Sequence, residues 1–282
     1  MSSRIHIIGS GPRCGTTLLF QAIKVCFNID SASDKEQSIC VSNKTLGGGD
    51  TILSKYPSEI NIIDTAIRLN KRLYVICIIR DPRDMVVSFH GGHEDAYWAS
   101  LRYWTMFLKY YGKLVNNERF IMIKYEDLTT NPDMVQEYIA DKIVDLNSKH
   151  KFSEYHLHAN LTEQSKKAMH GLRPIVPNGI GAWKKHLPRI KQQISVHGDI
   201  SNSLIQFGYE KDGAWLQTLE NQPLIDFETK TGEFFSKERL RSDEKKKLLT
   251  IANILAENMH LNPEYIYKPV KYLHRKLIKK QW

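Results

Sequence analysis

Residues 4–19, RIHIIGSGPRCGTTLL, join a short apolar strand to a glycine-spaced turn and then to the start of an amphipathic helix. Small residues allow the backbone to curl around an anion, and the following helix directs its N–H groups and the positive end of its dipole to the same point. This combination is typical of a phosphate-binding loop. We therefore predict an anion site at residues 13–17, with Arg13 as its cation.

The loop departs from the nucleoside-triphosphatase pattern G-x-x-x-x-G-K-[ST], in which a lysine and a magnesium-binding hydroxyl follow the last glycine. In this chain Thr16 and Thr17 follow Gly15, and the cation Arg13 precedes it. The pattern retains phosphate binding but not the metal-dependent chemistry, so no metal site is predicted. A nucleotide or small-molecule kinase and a catalytically silent nucleotide-binding module remain as alternative functions.

The rest of the chain alternates apolar strands with amphipathic helices. Predicted strands cover residues 4–8, 73–79 and 120–123, predicted helices cover about 58–70 and 95–115 and start again at 132, and residues 30–51 are predicted as a long loop. This order predicts an α/β fold with a P-loop-like central parallel sheet flanked by helices. Ligands of such sheets bind beyond the carboxyl ends of the strands, where both Arg13 and Arg80 fall.

The net charge of +9 is concentrated at one end of the chain. Residues 236–282 carry twelve Lys or Arg against five Asp or Glu, which leaves +2 for the first 235 residues. We therefore predict no nucleic-acid partner, an α/β domain over residues 1–215 and a basic helical extension over 216–282 packed on it. The alternation of apolar and basic residues at 271–280 fits a solvated helix face or weak contact with an anionic membrane surface.

Cysteine spacing and hydropathy predict the compartment. The four cysteines show no C-x-x-C spacing, and no apolar run approaches the length of a membrane span. The N-terminus enters a strand directly, without the apolar segment of a signal peptide. We expect a soluble, cytoplasmic protein with reduced thiols.

Four segments occur in the order found in one enzyme family: PRCGTTL at 12–18, IRDPRDMVVS at 79–88, KYEDL at 124–128 and IGAWK at 180–184. Together with FGY at 207–209, they resemble the signatures of the sulfotransferases that use 3'-phosphoadenosine 5'-phosphosulfate (PAPS). The resemblance spans residues 4–209. It implies metal-independent transfer of a sulfuryl group to an acceptor hydroxyl of a carbohydrate, a lipid-linked glycan or a small molecule, with adenosine 3',5'-bisphosphate (PAP) as product.

The resemblance also implies how the donor is held. Arg13 would bridge the sulfonate and the leaving phosphate, Arg80 and Ser88 would hold the 3'-phosphate, and Tyr125 would pack by the adenine. The loop before Trp183 would close over the 3'-phosphate. The donor-binding residues implied in this way are Arg13, Cys14, Gly15, Thr16, Thr17, Leu18, Arg80, Ser88, Tyr125, Arg173, Asn178 and Gly179.

Transfer to a hydroxyl requires a general base. Arginine in the first loop resembles the tyrosylprotein, carbohydrate and bacterial branches of the family, which implies a glutamate after the first helix. Glu36 is favoured, followed by Asp34, and His93 remains a candidate because it follows the segment that contains Arg80 and Ser88. Arg83 is predicted to form structural ion pairs.

Overall fold

The computed structural model describes residues 3–33, 35–43, 45–89, 96–169 and 171–279. In these ranges five strands form a single sheet in the order β2-β3-β1-β4-β5, and every neighbouring pair is parallel. The strands are β1 (Ser3–Gly9), β2 (Ser31–Ala32), β3 (Thr51–Lys55), β4 (Leu73–Ile79) and β5 (Phe120–Lys124). The predicted α/β fold class is therefore confirmed.

Helices cover both faces of the sheet. They are α1 (Thr16–Cys26), α2 (Ile60–Leu69), α3 (Pro82–Val86), α4 (Arg102–Tyr111), α5 (Tyr125–Thr130), α6 (Pro132–Lys142), α7 (Tyr155–His158), α8 (Glu163–Met169), α9 (Leu187–His197), α10 (Ser201–Gln206), α11 (Lys237–Met259) and α12 (Pro263–Lys279). Short 3₁₀ turns lie at Phe152–Glu154, Ala182–Lys185 and Ala214–Leu219.

The apolar run of β4 is buried on both faces because successive side chains of a strand point in opposite directions. Val75 and Cys77 belong to the core on the side of α2 and α4, whereas Ile76 and Ile78 belong to the core on the side of α1 and α6. Two hydrophobic layers thus enclose the sheet, as expected for parallel strands with crossover helices.

The strand order switches between β1 and β4, because the chain leaves β1 towards β2 on one side of the sheet and leaves β4 towards β5 on the other side. The loop after β1 and the segment after β4 therefore start at adjacent strand ends and lead away from each other. A crevice at such a switch point is the usual ligand site of an open α/β sheet.

Two elements differ from the predicted boundaries. The segment predicted as a loop, 30–51, contains β2 near its start and is followed directly by β3, which was not predicted. The five residues of β3 pair with β1 in the interior of the sheet. The helix predicted from residue 95 starts at Arg102, because the preceding backbone is held by tertiary hydrogen bonds: Leu101 N–H donates to Gln193 (2.8 Å), and the Ser100 hydroxyl donates to the Gly232 carbonyl (3.1 Å).

The C-terminal helices form a hairpin in which α11 packs against both α12 and α2. Helix α11 begins at Lys237 because the Ser236 hydroxyl accepts a hydrogen bond from Arg239 N–H (3.1 Å), a common N-cap. Its buried positions include Leu248 and Ala252. Throughout the described ranges, no helix combines the length and the hydropathy that crossing a membrane requires.

Candidate functional site

A cavity of about 220 Å³ opens beyond the ends of β1 and β4. Eleven of the twelve predicted donor-binding residues line it: Arg13, Gly15, Thr16, Thr17, Leu18, Arg80, Ser88, Tyr125, Arg173, Asn178 and Gly179. The remaining wall is largely apolar and consists of Tyr155, Met169, Pro174, Ile175 and Val176. Residues that are distant in sequence therefore meet around one concave space.

The twelfth residue, Cys14, turns away from this cavity. Its side chain is buried, and the thiol donates a hydrogen bond to the Gly11 carbonyl (2.8 Å). Burial raises the pKa of the thiol to about 11, so it is protonated at neutral pH. Only the backbone of Cys14 remains available to a ligand.

The loop after β1 has a backbone conformation that disfavours most side chains. Gly15 has φ of 97°, and a Cβ at this position would lie 2.6 Å from the Tyr125 ring. Arg13 also has positive φ, 70°, although it is not glycine. A non-glycine residue in this region costs about 1–3 kcal/mol, and such strain is characteristic of functional sites.

Two arginines meet across the loop. Arg80 Nη1 donates to the Arg13 carbonyl (3.0 Å), and its Nη2 donates to the Gly179 carbonyl (2.7 Å). The Arg80 guanidinium also lies 4.5 Å from the centroid of the Tyr125 ring. Arg13 Nε donates to the Ser88 hydroxyl (3.1 Å). Ser88, predicted to act together with Arg80, is thus hydrogen-bonded to Arg13.

The positive charge of this pair is compensated only at longer range: burial raises the pKa values of the Asp84 and Glu126 carboxyl groups, and the charge of Arg80 opposes that rise. The partners of both guanidiniums are carbonyl or hydroxyl oxygens, and in the described part of the chain neither forms an ion pair with a carboxylate. Arg80 is only 8 % exposed, and its Nε is buried without a hydrogen-bond partner among the described residues. Burial and the charge of Arg80 both lower the pKa of Arg13. An anion in the cavity would relieve this repulsion.

The loop over the cavity is held at three points. Tyr125 Oη donates to the Asn178 carbonyl (3.0 Å), and Arg80 binds the next carbonyl, that of Gly179. Asp84 accepts hydrogen bonds from Gly181 N–H (2.8 Å) and Trp183 N–H (2.9 Å). The late G-x-W-K segment is therefore fixed directly to the segment after β4.

Arg83 has a structural role, as predicted. It is 2 % exposed and forms ion pairs with Asp81 (2.7 Å) and Glu210 (2.5 Å). Its guanidinium lies between the rings of Trp183 and Trp215, at 4.0 and 4.9 Å from their centroids. These contacts join the segment after β4 to Trp183 and to the chain after α10.

The candidate bases are placed differently. Glu36 does not line the cavity. Much of the residue is exposed, but neighbouring atoms shield its carboxyl group from water enough to raise its pKa, and the charge of Lys55 opposes that rise. Asp34 and His93 lie outside the described residues. Within the described ranges, no group of three or more His, Cys, Asp or Glu side chains is arranged to share a metal ion.

Lys55 is a site residue that sequence reasoning missed. It ends β3, is buried, and its Nζ donates to the hydroxyl of Thr17 (2.8 Å), which lines the cavity. The sequence feature that could have revealed it is a lysine at the end of a short strand. However, β3 was not predicted, because it directly follows the segment predicted as a loop. Without that strand, nothing in the sequence brings Lys55 to the phosphate-binding loop.

A second cavity, of about 460 Å³, adjoins the first and shares Arg80, Ser88 and Gly179 with it. Phe89 and His186 also line it. His186 Nδ1 is 2.9 Å from the Tyr97 hydroxyl. Arg80 and Ser88 therefore lie between two open spaces.

Fold and cavity together define an α/β protein with a phosphate-binding loop and a second cation after the neighbouring strand. No protein-family model matches the sequence, and no curated protein matches it. Similar solved structures include a mouse sulfotransferase, SULT7A1, complexed with PAP, at 10% identity over 97% of this chain and 89% of that chain, with a TM-score of 0.41.

Two further solved structures are similar at the same level. Retinol dehydratase in complex with androsterone and inactive cofactor PAP has 13% identity, covers 79% of this chain and 82% of its own, and has a TM-score of 0.35. The sulfotransferase domain from the curacin biosynthetic pathway has 13% identity, covers 93% and 99%, and has a TM-score of 0.36. TM-scores below 0.5 do not establish a shared fold, and these likenesses carry no functional conclusion.

Proposed function

We propose that this protein is a sulfotransferase that moves a sulfuryl group from PAPS to an acceptor hydroxyl. The observation that carries the proposal is the pair Arg13 and Arg80, two guanidiniums on one cavity without an ion-paired carboxylate among the described residues. A nucleotide with two separate anionic groups matches two cations beside a phosphate-binding loop. The sequence motifs that resemble the family agree with this choice of ligand.

The cavity offers a place for each part of the donor. The N–H groups of residues 15–17, at the start of α1, would bind the 5'-phosphate, where the helix dipole favours negative charge. Arg80 and Ser88 would bind the 3'-phosphate, closed over by Arg173, Asn178 and Gly179. The apolar wall that includes Leu18 and Ile175, with Tyr125 beside it, fits the adenine.

Sulfuryl transfer needs positioning and charge stabilisation more than covalent help from the protein. The acceptor oxygen forms a bond to sulfur while the bond from sulfur to the bridging phosphate oxygen breaks, and PAP leaves with the negative charge. Arg13 would stabilise that charge. The Lys55 ammonium, hydrogen-bonded to Thr17, adds a second positive charge at the same end of the loop.

The acceptor proton must leave as the new bond forms. We propose Glu36 as the group that takes it, because it follows α1 and is electrostatically coupled to Lys55 on the loop side of the sheet. Asp34 and His93 are the alternative bases. The acceptor that we propose is a hydroxyl of a carbohydrate, a lipid-linked glycan or a small molecule.

The test is a transfer assay paired with a binding assay. Purified protein should bind PAP in titration calorimetry and should transfer radiolabelled sulfate from PAPS to members of a hydroxyl-bearing acceptor panel. Both signals should survive EDTA, whereas a magnesium-dependent kinase would lose its activity. Absence of PAP binding would overturn the proposal, and binding without turnover on the whole panel would identify a silent nucleotide-binding module.

For the chain as a whole, we propose a catalytic domain over residues 1–215 with the extension 216–282 packed on it, in the cytoplasm. The basic end of α12 would make weak contact with anionic membranes. Cell fractionation tests the location, and co-sedimentation with phosphatidylserine vesicles against neutral vesicles tests the contact. Equal sedimentation with both vesicle types would remove the membrane role.

A further inference from the structure

The second cavity shares one wall with the donor cavity and has a lining of its own elsewhere. Arg80, Ser88 and Gly179 form the shared wall. The residues that line only the second cavity are Asp84, Val87, Phe89, Ala182 and His186. None of these five belongs to the groups proposed above to hold the nucleotide, so their side chains are available to a second ligand.

The shared wall lies next to the cation that we propose for the transferred group. Ser88 Oγ accepts a hydrogen bond from Arg13 Nε (3.1 Å), and Arg80 Nη1 donates to the Arg13 carbonyl (3.0 Å). A molecule in the second cavity therefore meets the donor cavity at the two residues that hold Arg13. An acceptor placed there approaches the donor from the side of this wall.

The far side of the second cavity is aromatic. The rings of Phe89 and Tyr97 are stacked, with centroids 4.9 Å apart and planes 25° apart. The His186 ring stands edge-on to both, at 6.2 Å from Phe89 and 5.8 Å from Tyr97. Tyr97 is buried behind the other two rings, which are half-buried. Phe89 and His186 thus present a supported aromatic surface of the kind on which a planar or sugar ring packs.

His186 has one ring nitrogen engaged and one available. Its Nδ1 is hydrogen-bonded to the Tyr97 hydroxyl (2.9 Å), and the Tyr97 ring lies 4.9 Å from the guanidinium of the fully buried Arg189. Burial and the charge of Lys185 lower the pKa of His186 from 6.5, so the ring is neutral at neutral pH. Nε2 has no hydrogen-bond partner in the part of the chain that the structure describes. It is an uncharged hydrogen-bonding group in a fixed orientation.

We propose that Nε2 of His186 binds a hydroxyl of the acceptor in the second cavity, while a six-membered ring of the acceptor packs on Phe89. This inference rests on the proposed function and identifies a residue that selects the acceptor. A volume of about 460 Å³ is large enough for a phenol or a single sugar ring, and both supply the same chemistry, one apolar face and a hydroxyl at the edge. The role of His186 does not depend on which group takes the acceptor proton.

The experiment compares His186→Asn with His186→Gln in the full-length chain saturated with PAP. Asparagine places its amide near the position of Nδ1 and keeps the contact with Tyr97, whereas glutamine reaches the position of Nε2. His158→Asn, at an exposed histidine of α7, is the control. The probes are para-cresol (aromatic ring), methyl β-glucopyranoside (sugar ring) and hexanol, which has a hydroxyl but no ring. Ligand-observed NMR titration measures their binding, and thermal unfolding measures the stability of each variant.

We expect at least one ring compound to bind the PAP complex more tightly than hexanol, and the two ring compounds distinguish the source of the ring. His186→Asn should weaken that binding by about fivefold, His186→Gln by less than about twofold, and His158→Asn should leave it unchanged. A purely structural role gives the opposite order, because asparagine preserves the hydrogen bond to Tyr97 and glutamine does not.

A loss of ring binding in His186→Gln at least as large as that in His186→Asn would overturn the inference. Ring compounds that bind no better than hexanol would overturn it as well. In both cases PAP binding stays intact, because His186 does not line the donor cavity. Loss of PAP binding by the wild-type chain would instead overturn the proposed function.

Discussion

Arg80 Nη1 donates a hydrogen bond to the carbonyl oxygen of Arg13, at 3.0 Å across 67 residues of chain. This contact joins the segment after β4 to the loop after β1, so the second cation also holds the backbone that presents the first. Because Arg13 is at φ of 70°, the loop needs such support to keep its conformation. Loss of the Arg80 side chain would therefore remove a positive charge from the cavity and also a support of the loop that carries Arg13.

Replacing Arg13 should separate catalysis from stability. Arg13→Ala should lose about 3 kcal/mol of transition-state stabilisation, a decrease in turnover of roughly a hundredfold or more, measured as transfer of labelled sulfate. Arg13→Gly should be equally inactive but should unfold at a higher temperature than Arg13→Ala, because glycine tolerates positive φ. Arg68→Ala, an exposed control on α2, should leave turnover unchanged. Normal turnover in Arg13→Ala would remove this residue from the mechanism.

Replacing Arg80 should mainly affect binding of the nucleotide. Charge-assisted hydrogen bonds are worth about 1.5–3 kcal/mol, so Arg80→Ala should weaken PAP binding by about tenfold to a hundredfold. Adenosine 5'-phosphate, which lacks the 3'-phosphate, should lose less affinity. Calorimetric titration of both ligands provides the comparison, and equal losses would indicate that Arg80 supports only the loop.

Two glycines of one loop provide a matched pair. Gly179 and Gly181 have φ of 69° and 71°, but a Cβ on Gly179 would lie 2.8 Å from Arg80 Nη2, whereas one on Gly181 would contact nothing within 4 Å. Both alanine variants should lose about 1–2 kcal/mol of stability through backbone strain. Only Gly179→Ala should displace the guanidinium and weaken PAP binding, by about tenfold. Equal affinities in the two variants would show that the position of Arg80 is not critical.

The pH dependence of turnover should depend on Glu36. Desolvation raises the pKa of its carboxyl group above the ordinary value of 4.5, and a base must be deprotonated to act. Turnover of the wild type should therefore fall on acidification at a pH above 4.5. Glu36→Gln should be slow and should lose this acidic limb, while PAP affinity stays the same. A retained limb in Glu36→Gln would point to another base.

Acid stability should depend on Glu233. Desolvation by itself would raise the pKa of this carboxyl group, but hydrogen bonds from His197 (2.8 Å) and Thr229 outweigh it and lower the pKa from 4.5 to about 2. A lowered pKa means that the stabilisation is complete above pH 4.5 and is lost as the pH falls towards 2. The free energy of unfolding, measured in urea across this pH range, should change less with pH in Glu233→Gln than in the wild type. Glu228→Gln, at an exposed position, should show the same pH dependence as the wild type.

Much of the fold could be predicted because the relevant signals are local. The apolar run of seven residues in β4 is enough to predict a buried parallel strand. The glycine pattern after β1 is likewise enough to predict an anion-binding loop before α1. Eleven of the twelve residues that the family resemblance implied for donor binding line one cavity, and their role in binding stays a prediction. Cys14 differs because the direction of a loop side chain depends on the packing beneath it.

Other features depend on contacts between distant segments. Strand β3 is short, and its pairing with β1 brings Lys55 to Thr17. The hydrophobic pattern of residues 51–55 does not predict this contact. Likewise, the pairing of Ser88 with Arg13 depends on how two loops approach each other.

By itself, the sequence determined the α/β class, strands β1, β4 and β5, the anion loop and the two arginines after neighbouring strands, since each arises from residues close together in the chain. The tertiary structure alone decided that both arginines face one cavity without ion-paired carboxylates among the described residues, and that Tyr97 holds His186 at the adjoining cavity. The physical reason is that local patterns specify backbone conformation and burial, whereas the balance of charge at a site depends on which distant side chains packing brings within a few ångströms.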